Sequence, residues 1–311
     1  MSIRPWLWLL LLLGAPPVAQ AGWLADRLAA RLEAQMLEPD AVPWRLRQPG
    51  IASAAGLAYG PDARQRLDVY WPAAGGQGMP VLVMVHGGAW RSGSRQSAAV
   101  VQHKVGRWVP RGMLLVSLDY RLLPQAGPLQ QAQDVAAALA WLQREAARWG
   151  GDGRKLVLIG HSAGAHLVSL LAASRQLQRQ AGVQPWLGTV ALDSAAYDVA
   201  ALMQQRHYRF YDQAFGGDPA AWPALSPMAQ LQQAMPPLLA VCSQQRPDRP
   251  CDDAANFVAR ARQLGGRAEL LPQALSHRDI NQQLGADDGY TRAVEQFLRG
   301  LDAELASRLA R

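Results

Sequence analysis

Seven short apolar runs constrain the fold of this chain more than any other feature. They are Leu67–Trp71, Val81–Val85, Met113–Leu118, Leu156–Ile159, Val190–Leu192, Leu238–Val241 and Ala268–Leu271, each flanked by glycine, proline or polar clusters. Several are apolar at almost every position, as strands covered on both faces must be, and the segments between them are long enough for helices. The clearest helical stretch is Ala132–Trp149, with Val135, Leu139 and Leu142 on one stripe and Gly150-Gly151 closing it. Strand and helix alternating in this way predict an α/β domain with a mostly parallel, doubly wound sheet. The 311 residues, half of them hydrophobic, suffice for one such core.

One of these runs feeds directly into chemistry. Leu156–Ile159 leads into Gly160-His161-Ser162-Ala163-Gly164, a Gly-x-Ser-x-Gly pattern, and Ala163–Ala173 reads as the helix that follows. A serine that attacks a carbonyl must sit on a tight strand-to-helix turn, and glycines at both flanks permit the close backbone approach that the turn demands. Ser162 is therefore the expected nucleophile. The start of the following helix would point its positive end at a developing oxyanion.

An attacking serine also needs oxyanion donors, a histidine base and an acid to orient it. His86-Gly87-Gly88-Ala89-Trp90 follows the strand Val81–Val85, so Gly87 and Gly88 with the amide of Ala163 are the expected oxyanion hole. Of six histidines, His86, His161 and His166 lie within the two motifs and read as scaffold, while His103 and His207 fall in helix or cap. His277, in a loop after the last strand, is the expected base. Chain order then asks for an acid after Leu238–Val241, where Asp248, Asp252 and Asp253 all follow. Asp252 reads as the N-cap of a helix Ala254–Leu264, which leaves Asp248 as the favoured acid.

The remaining features concern surroundings and location. Between residues 197 and 236, Tyr197, Tyr208, Phe210, Tyr211, Phe215 and Trp222 crowd a segment rich in glutamine, alanine and proline. This reads as a cap over a pocket, with an extra packing helix as the alternative. Met1–Arg4 carries one positive charge, Trp6–Leu13 is apolar and Ala19-Gln20-Ala21 has the small-x-small form of a cleavage site. Residues 1–21 are accordingly expected to be a signal peptide cleaved after Ala21, giving a periplasmic or secreted protein without a lipid anchor or an integral membrane segment in its mature form. In an exported protein, Cys242 and Cys251 are expected to pair as a disulfide, and neither has further ligands at metal-binding spacing. Residues 22–65 comprise an amphipathic helix over Gly22–Glu38, marked by Leu24, Leu28, Leu32 and Met36, and an irregular lead-in with an edge strand near Leu57–Tyr59. Residues 66–311 form the main domain. The net charge of +7 is spread as single arginines, without basic clusters interleaved with aromatics, so nucleic acid is discounted as a partner.

Four motifs in order, His-Gly-Gly-Ala-Trp, Asp119-Tyr120-Arg121-Leu122-Leu123-Pro124, Gly-His-Ser-Ala-Gly-Ala-His and the late His277, resemble the α/β-hydrolase superfamily. The resemblance covers about residues 66–299 and is to the esterase and arylformamidase branch, with its hormone-sensitive-lipase-like and feruloyl-esterase-like members. It implies a serine hydrolase that cleaves small-molecule carboxylic esters through an acyl-enzyme, without metal or cofactor. Arylformamide or amide hydrolysis by the same residues is the alternative, and a non-catalytic binding scaffold of the same fold is another. The chain departs from the family at the acid: where Gly-x-x-Asp is usual after the strand, it has Ser243-Gln244-Gln245-Arg246. The resemblance also implies that Asp119 is structural, holding its turn and Arg121, and that Trp90 either lines the pocket or fills core.

Overall fold

The computed structural model describes residues 43–310. The expected signal peptide and the amphipathic helix Gly22–Glu38 lie outside them. Eight strands, β1 (Ile51–Ala58), β2 (Arg66–Pro72), β3 (Met79–Val85), β4 (Leu114–Leu118), β5 (Gly151–His161), β6 (Gly188–Leu192), β7 (Leu238–Ser243) and β8 (Ala268–Gln273), form one sheet. Its spatial order is β1-β2-β4-β3-β5-β6-β7-β8. β2 pairs antiparallel with β1 and β4, and every pair from β4 to β8 is parallel.

The seven apolar runs all correspond to strands, and the parallel centre explains why. Every residue of β3, β4 and β6 is buried, and side chains alternate between two cores. Val81, Val83 and Val85 face one core and Leu82 and Met84 the other. β1 occupies a stretch expected to be irregular, apart from an edge strand near Leu57–Tyr59. It is a half-exposed antiparallel edge strand with a register shift between Ala54 and Leu57, so it lacks the continuous apolar signature of the centre.

Helices cover both faces. On the first lie α2 (Pro128–Glu145), α3 (Ala163–Ala173), α4 (Arg175–Ala181) and α9 (Pro250–Gln263), contributing Val135, Leu139, Leu167, Leu171, Leu177 and Phe257. On the second lie α1 (Ala98–Trp108), α10 (His277–Gln282), α11 (Gly289–Arg299) and α12 (Ala303–Leu309), contributing Val101, Trp108, Ile280, Phe297 and Leu305. Proline marks two starts earlier than periodicity suggested: α2 opens on Pro128 and α9 on Pro250, where the missing N–H costs nothing. Asp252 is consequently not an N-cap. It lies in the first turn of α9, paired with Arg249, the residue at the cap position.

Between β6 and β7 the chain carries four short helices, α5 (Val199–Met203), α6 (Arg209–Phe215), α7 (Trp222–Leu225) and α8 (Pro227–Gln230). Their aromatic residues Phe210, Tyr211, Phe215 and Trp222 are buried and join the first core. Among the described residues no helix is long and apolar enough to cross a membrane.

Cys242, at the end of β7, is bonded to Cys251, in the first turn of α9, with Cα atoms 5.1 Å apart. The bridge closes the β7–α9 loop. Closing so short a loop restricts the unfolded chain by about 2–3 kcal/mol. Replacing both cysteines by alanine is expected to lower unfolding free energy by about that amount in urea titrations, with native far-UV dichroism retained.

Candidate active site

The parallel strands end on one edge, and the residues singled out for chemistry follow such ends: Gly87 and Gly88 after β3, Ser162 and Ala163 after β5, Asp248 after β7 and His277 after β8. This is the edge at which open α/β sheets bind ligands.

Ser162 has φ 55° and ψ −117°, a conformation that non-glycine residues rarely adopt. Its amide donates to Leu192 O (2.9 Å) and its carbonyl accepts from the His166 amide (3.1 Å), so the neighbouring strand and its own helix fix the turn. The flanking glycines are required by contact. A Cβ on Gly160 would lie 2.3 Å from Gly164 O, and one on Gly164 would lie 2.3 Å from Val85 O. Ser162 remains partly exposed while its neighbours His161 and Ala163 are buried.

The His-Gly-Gly-Ala-Trp turn lies against this elbow. A Cβ on Gly87 would approach Ser162 Cβ to 2.9 Å, so only glycine lets this backbone come alongside the serine. Ala163 opens α3, where the first-turn amides have no partner within the helix. Gly87 and Ala163 thus lie beside Ser162, and Gly88 follows in the same turn, packed on Ser92. The turn is strained, with positive φ at Gly88, Ala89 and Trp90, and Trp90 anchors it. Its carbonyl accepts from the Leu123 amide (2.9 Å) and Gln131 Nε2 (2.8 Å), and its indole N–H donates to His166 Nδ1 (3.2 Å). Trp90 is a core residue, packed on Phe210, Tyr211 and Phe215 of α6.

His277 is buried and its Nδ1 lies 2.6 Å from Asp193 Oδ2. Asp193 follows β6. Its carboxylate also accepts from the Ser243 amide (2.7 Å) at Oδ1 and from Arg246 Nη1 (3.0 Å) at Oδ2. Burial would raise its pKa, yet the Arg246 charge, the His277 contact and the Ser243 amide together hold it well below the ordinary carboxylate range. An ionised carboxylate only accepts, so His277 Nδ1 carries the proton and Nε2 the lone pair. That Nε2 is buried and meets no hydrogen-bond partner among the described residues. The ring stands against His161, centroids 4.5 Å apart, while His161 Nε2–H donates to His277 O (3.0 Å).

Asp248, the acid expected from sequence, is not on His277. Its carboxylate takes the fork of Arg246, with Nε at 3.0 Å and Nη2 closer still. The β7–α9 loop carries Arg246, not an acid, into the place beside the histidine, and the carboxylate comes from the neighbouring strand end. Asp253 lies in the first turn of α9, where burial and the nearby Asp248, Asp252 and Asp198 push its pKa up to about 6. The signal for Asp193 was available: it immediately follows the apolar run Val190–Leu192, lies after Ser162 and precedes His277 in chain order.

His86 and His166 are held by packing and hydrogen bonds away from the base position, in line with a scaffold role. His86 stacks on Tyr120 and lies 3.4 Å from Asp119. Asp119 also binds the Arg95 amide (2.6 Å), but it does not hold Arg121, whose guanidinium is paired with Asp134. His166 accepts from Trp90 and donates through Nε2 to Leu225 O (2.8 Å), joining elbow helix, oxyanion turn and α7. Burial pulls its pKa down to about 4, so it stays neutral in the fold. The unfolded chain, with an ordinary imidazole near 6.5, then binds more protons between pH 6.5 and 4, so stability is full above this window and falls as pH drops through it. His166→Gln is expected to flatten that slope, removing up to about 3 kcal/mol of the acid-induced loss as measured by urea titrations across pH.

Comparison with known proteins agrees with this architecture. The BD-FAE family model matches residues 67–258. Esterase LipQ of Mycobacterium tuberculosis is 29% identical over 229 residues, which is 69% of this chain and 54% of that protein. The isoprenylcysteine alpha-carbonyl methylesterase ICME of Arabidopsis thaliana is 25% identical over 270 residues, 80% of this chain and 62% of that protein. The chain therefore spans between half and two thirds of the length of these curated relatives. Among solved structures, esterase B of Lactobacillus Rhamnosis superposes with a TM-score of 0.66 at 21% identity, covering 93% of this chain and 94% of that one. Esterase 2 of Thermogutta terrifontis gives 0.64 at 22%, covering 86% and 97%. Both share the α/β-hydrolase fold with this chain. With the family model matching well over half its length, the chain belongs to the BD-FAE family of α/β-hydrolases.

Proposed function

We propose that this protein is an exported serine carboxylesterase in which Ser162 is the nucleophile, His277 the general base and Asp193 the acid that orients it. The observation that carries this reading is the 2.6 Å contact between His277 Nδ1 and Asp193 Oδ2, made at the same sheet edge as the strained Ser162 turn. Relatives named as esterases and a carboxylesterase support the ester-hydrolysing chemistry.

The steps are those of a serine hydrolase. His277 Nε2 takes the Ser162 hydroxyl proton as Oγ attacks the acyl carbon, and Asp193 stabilises the imidazolium that forms. The amides of Gly87, Gly88 and Ala163 receive the oxyanion, a donor each being worth about 3–4 kcal/mol in related sites. The alkoxide leaves with the proton from His277. A water, deprotonated in turn by His277, attacks the acyl carbon, and the acyl–Oγ bond breaks as His277 returns the proton to Ser162 Oγ and the acid is released.

The aromatic segment 197–236 acts as a cap that bounds the acyl site, and Trp90 ties it to the oxyanion turn. Export rests on the charged, apolar and small-x-small order of residues 1–21 and agrees with the Cys242–Cys251 bridge.

Turnover of short p-nitrophenyl esters is the direct test. Ser162→Ala is expected to abolish it and with it labelling by a fluorophosphonate, and unchanged turnover in that variant overturns the reading. Asp193→Asn is expected to lower kcat by about 10⁴-fold, as loss of the orienting acid does in other serine hydrolases. A matched aryl formamide, cleaved faster than the ester by the wild type, would move the assignment to formamide hydrolysis.

A further inference from the structure

The family's usual acid position is held here by Arg246, whose side chain is only 5% exposed and whose guanidinium touches both the acid and the base. Nη1 donates to Asp193 Oδ2 and to the Asp193 carbonyl, each at 3.0 Å, and lies 3.3 Å from His277 Nδ1. The other edge of the guanidinium, Nε and Nη2, forks onto Asp248. The Tyr211 phenol of α6 lies near enough for the guanidinium charge to oppose the rise that burial imposes on the phenol's pKa.

A cation at this place presents a problem for a serine hydrolase. The imidazolium that forms on His277 is stabilised by the Asp193 charge, and a guanidinium bound to the same oxygen cancels that charge and repels the new one. Asp248 reverses the cancellation. Its side chain, 24% exposed, supplies a second negative charge on the far side of Arg246, so the three groups together carry one negative charge, as a lone aspartate would.

We propose that Arg246 and Asp248 are a compensated ion pair behind the triad: Arg246 is a positioning residue that fixes Asp193 on His277, and Asp248 restores the negative charge that the guanidinium would otherwise remove. The inference rests on the assignment of Ser162, His277 and Asp193 above. It gives a physical use to a carboxylate that does not touch the histidine and to an arginine that stands where an acid is usual. Both belong to the β7–α9 loop, which the Cys242–Cys251 bridge closes at its two ends.

The other groups facing His277 come from each neighbouring element. His161 at the end of β5 stands against the ring, Arg278 and Asp279 follow His277 on α10 itself, and Tyr290 of α11 donates its hydroxyl to Ile280 O. Asp279 is occupied by the Ser276 hydroxyl, and Arg278 is exposed. All stay constant across the variants below.

The test is the pH dependence of kcat/KM on a short p-nitrophenyl ester, measured on the intact mature protein. Activity requires neutral His277, so its acidic limb reports how strongly the surroundings favour the imidazolium. Asp248→Asn leaves the guanidinium uncompensated, and the limb is expected to move to lower pH by roughly one unit. Arg246→Gln leaves two carboxylates, and the limb is expected to move to higher pH by a similar amount, with kcat reduced about 100-fold as Asp193 loses its anchor. The double variant is expected to return the limb close to its wild-type position. Arg246→Lys, which keeps charge but not the fork, is expected to keep the limb while lowering kcat.

Limbs that do not move, or that move in the same direction in the two single variants, overturn the proposal. Fluorophosphonate labelling stoichiometry and far-UV dichroism establish that each variant is folded. Should Arg246→Gln fail to fold, Asp248→Asn decides alone, since a limb that stays in place refutes the compensation. The triad reading fails separately, by turnover that survives in Ser162→Ala or Asp193→Asn.

Discussion

The Asp193 carboxylate is the interaction on which the site depends. It is wholly inaccessible to solvent, and a charge in that position persists only if it is paired and fully hydrogen-bonded. Its donors come from three different places: the Ser243 amide at the end of β7, the Arg246 guanidinium in the loop beyond it, and the His277 ring after β8. No local sequence can assemble them. The parallel register does so, because pairs such as Leu192 with Val241 and Ser243 with Gln273 bring three strand ends level. The Ser243 hydroxyl, donating to Leu275 O at 2.7 Å, then ties β7 to the segment that delivers His277. The acid is thus a product of the sheet, and the sheet of the apolar runs.

That dependence explains what could be read from the sequence. The central strands were legible because burial on both faces leaves an apolar signature, and the elbow was legible in part because Gly160 answers a contact four residues away, at Gly164. β1 was legible only at its end near Leu57, since its half-exposed, shifted edge carries a mixed pattern. The acid required a choice between strand ends, and chain order from serine to histidine is satisfied by Asp193 and Asp248 alike. What separates them is electrostatic company. Asp248 stands two residues from Arg246 and beside Arg249, so basic partners were close at hand, whereas Asp193 emerges from apolar residues with no nearby basic residue in the sequence and must find its partners across the fold.

Around Ser162 the polar groups fall into two electrostatic kinds. On the oxyanion side His166 is neutral, its two nitrogens engaged by the Trp90 indole and the Leu225 carbonyl, and its surroundings are aromatic. On the base side the groups are charged and arranged in an alternating row, Asp193, Arg246 and Asp248. A neutral His166 adds no charge of its own beside the Trp90 turn, while the ionic row offers an imidazolium on His277 a fixed field in a poorly hydrated place.

Residues of α6 reach both sides. Phe215 packs on Trp90 and His166, Tyr211 packs its ring on Trp90, and the Tyr211 phenol lies within the electrostatic reach of Arg246. A displacement of this helix would therefore disturb the Gly87–Trp90 turn through aromatic packing and change the electrostatic surroundings of Arg246. Trp90 makes the first coupling strong, because its residue is itself held at a positive φ that the Leu123 and Gln131 hydrogen bonds to its carbonyl must maintain. The segment between β6 and β7 is thus bound by its aromatic packing to the turn that carries Gly87 and Gly88 and lies near the ionic row beside His277.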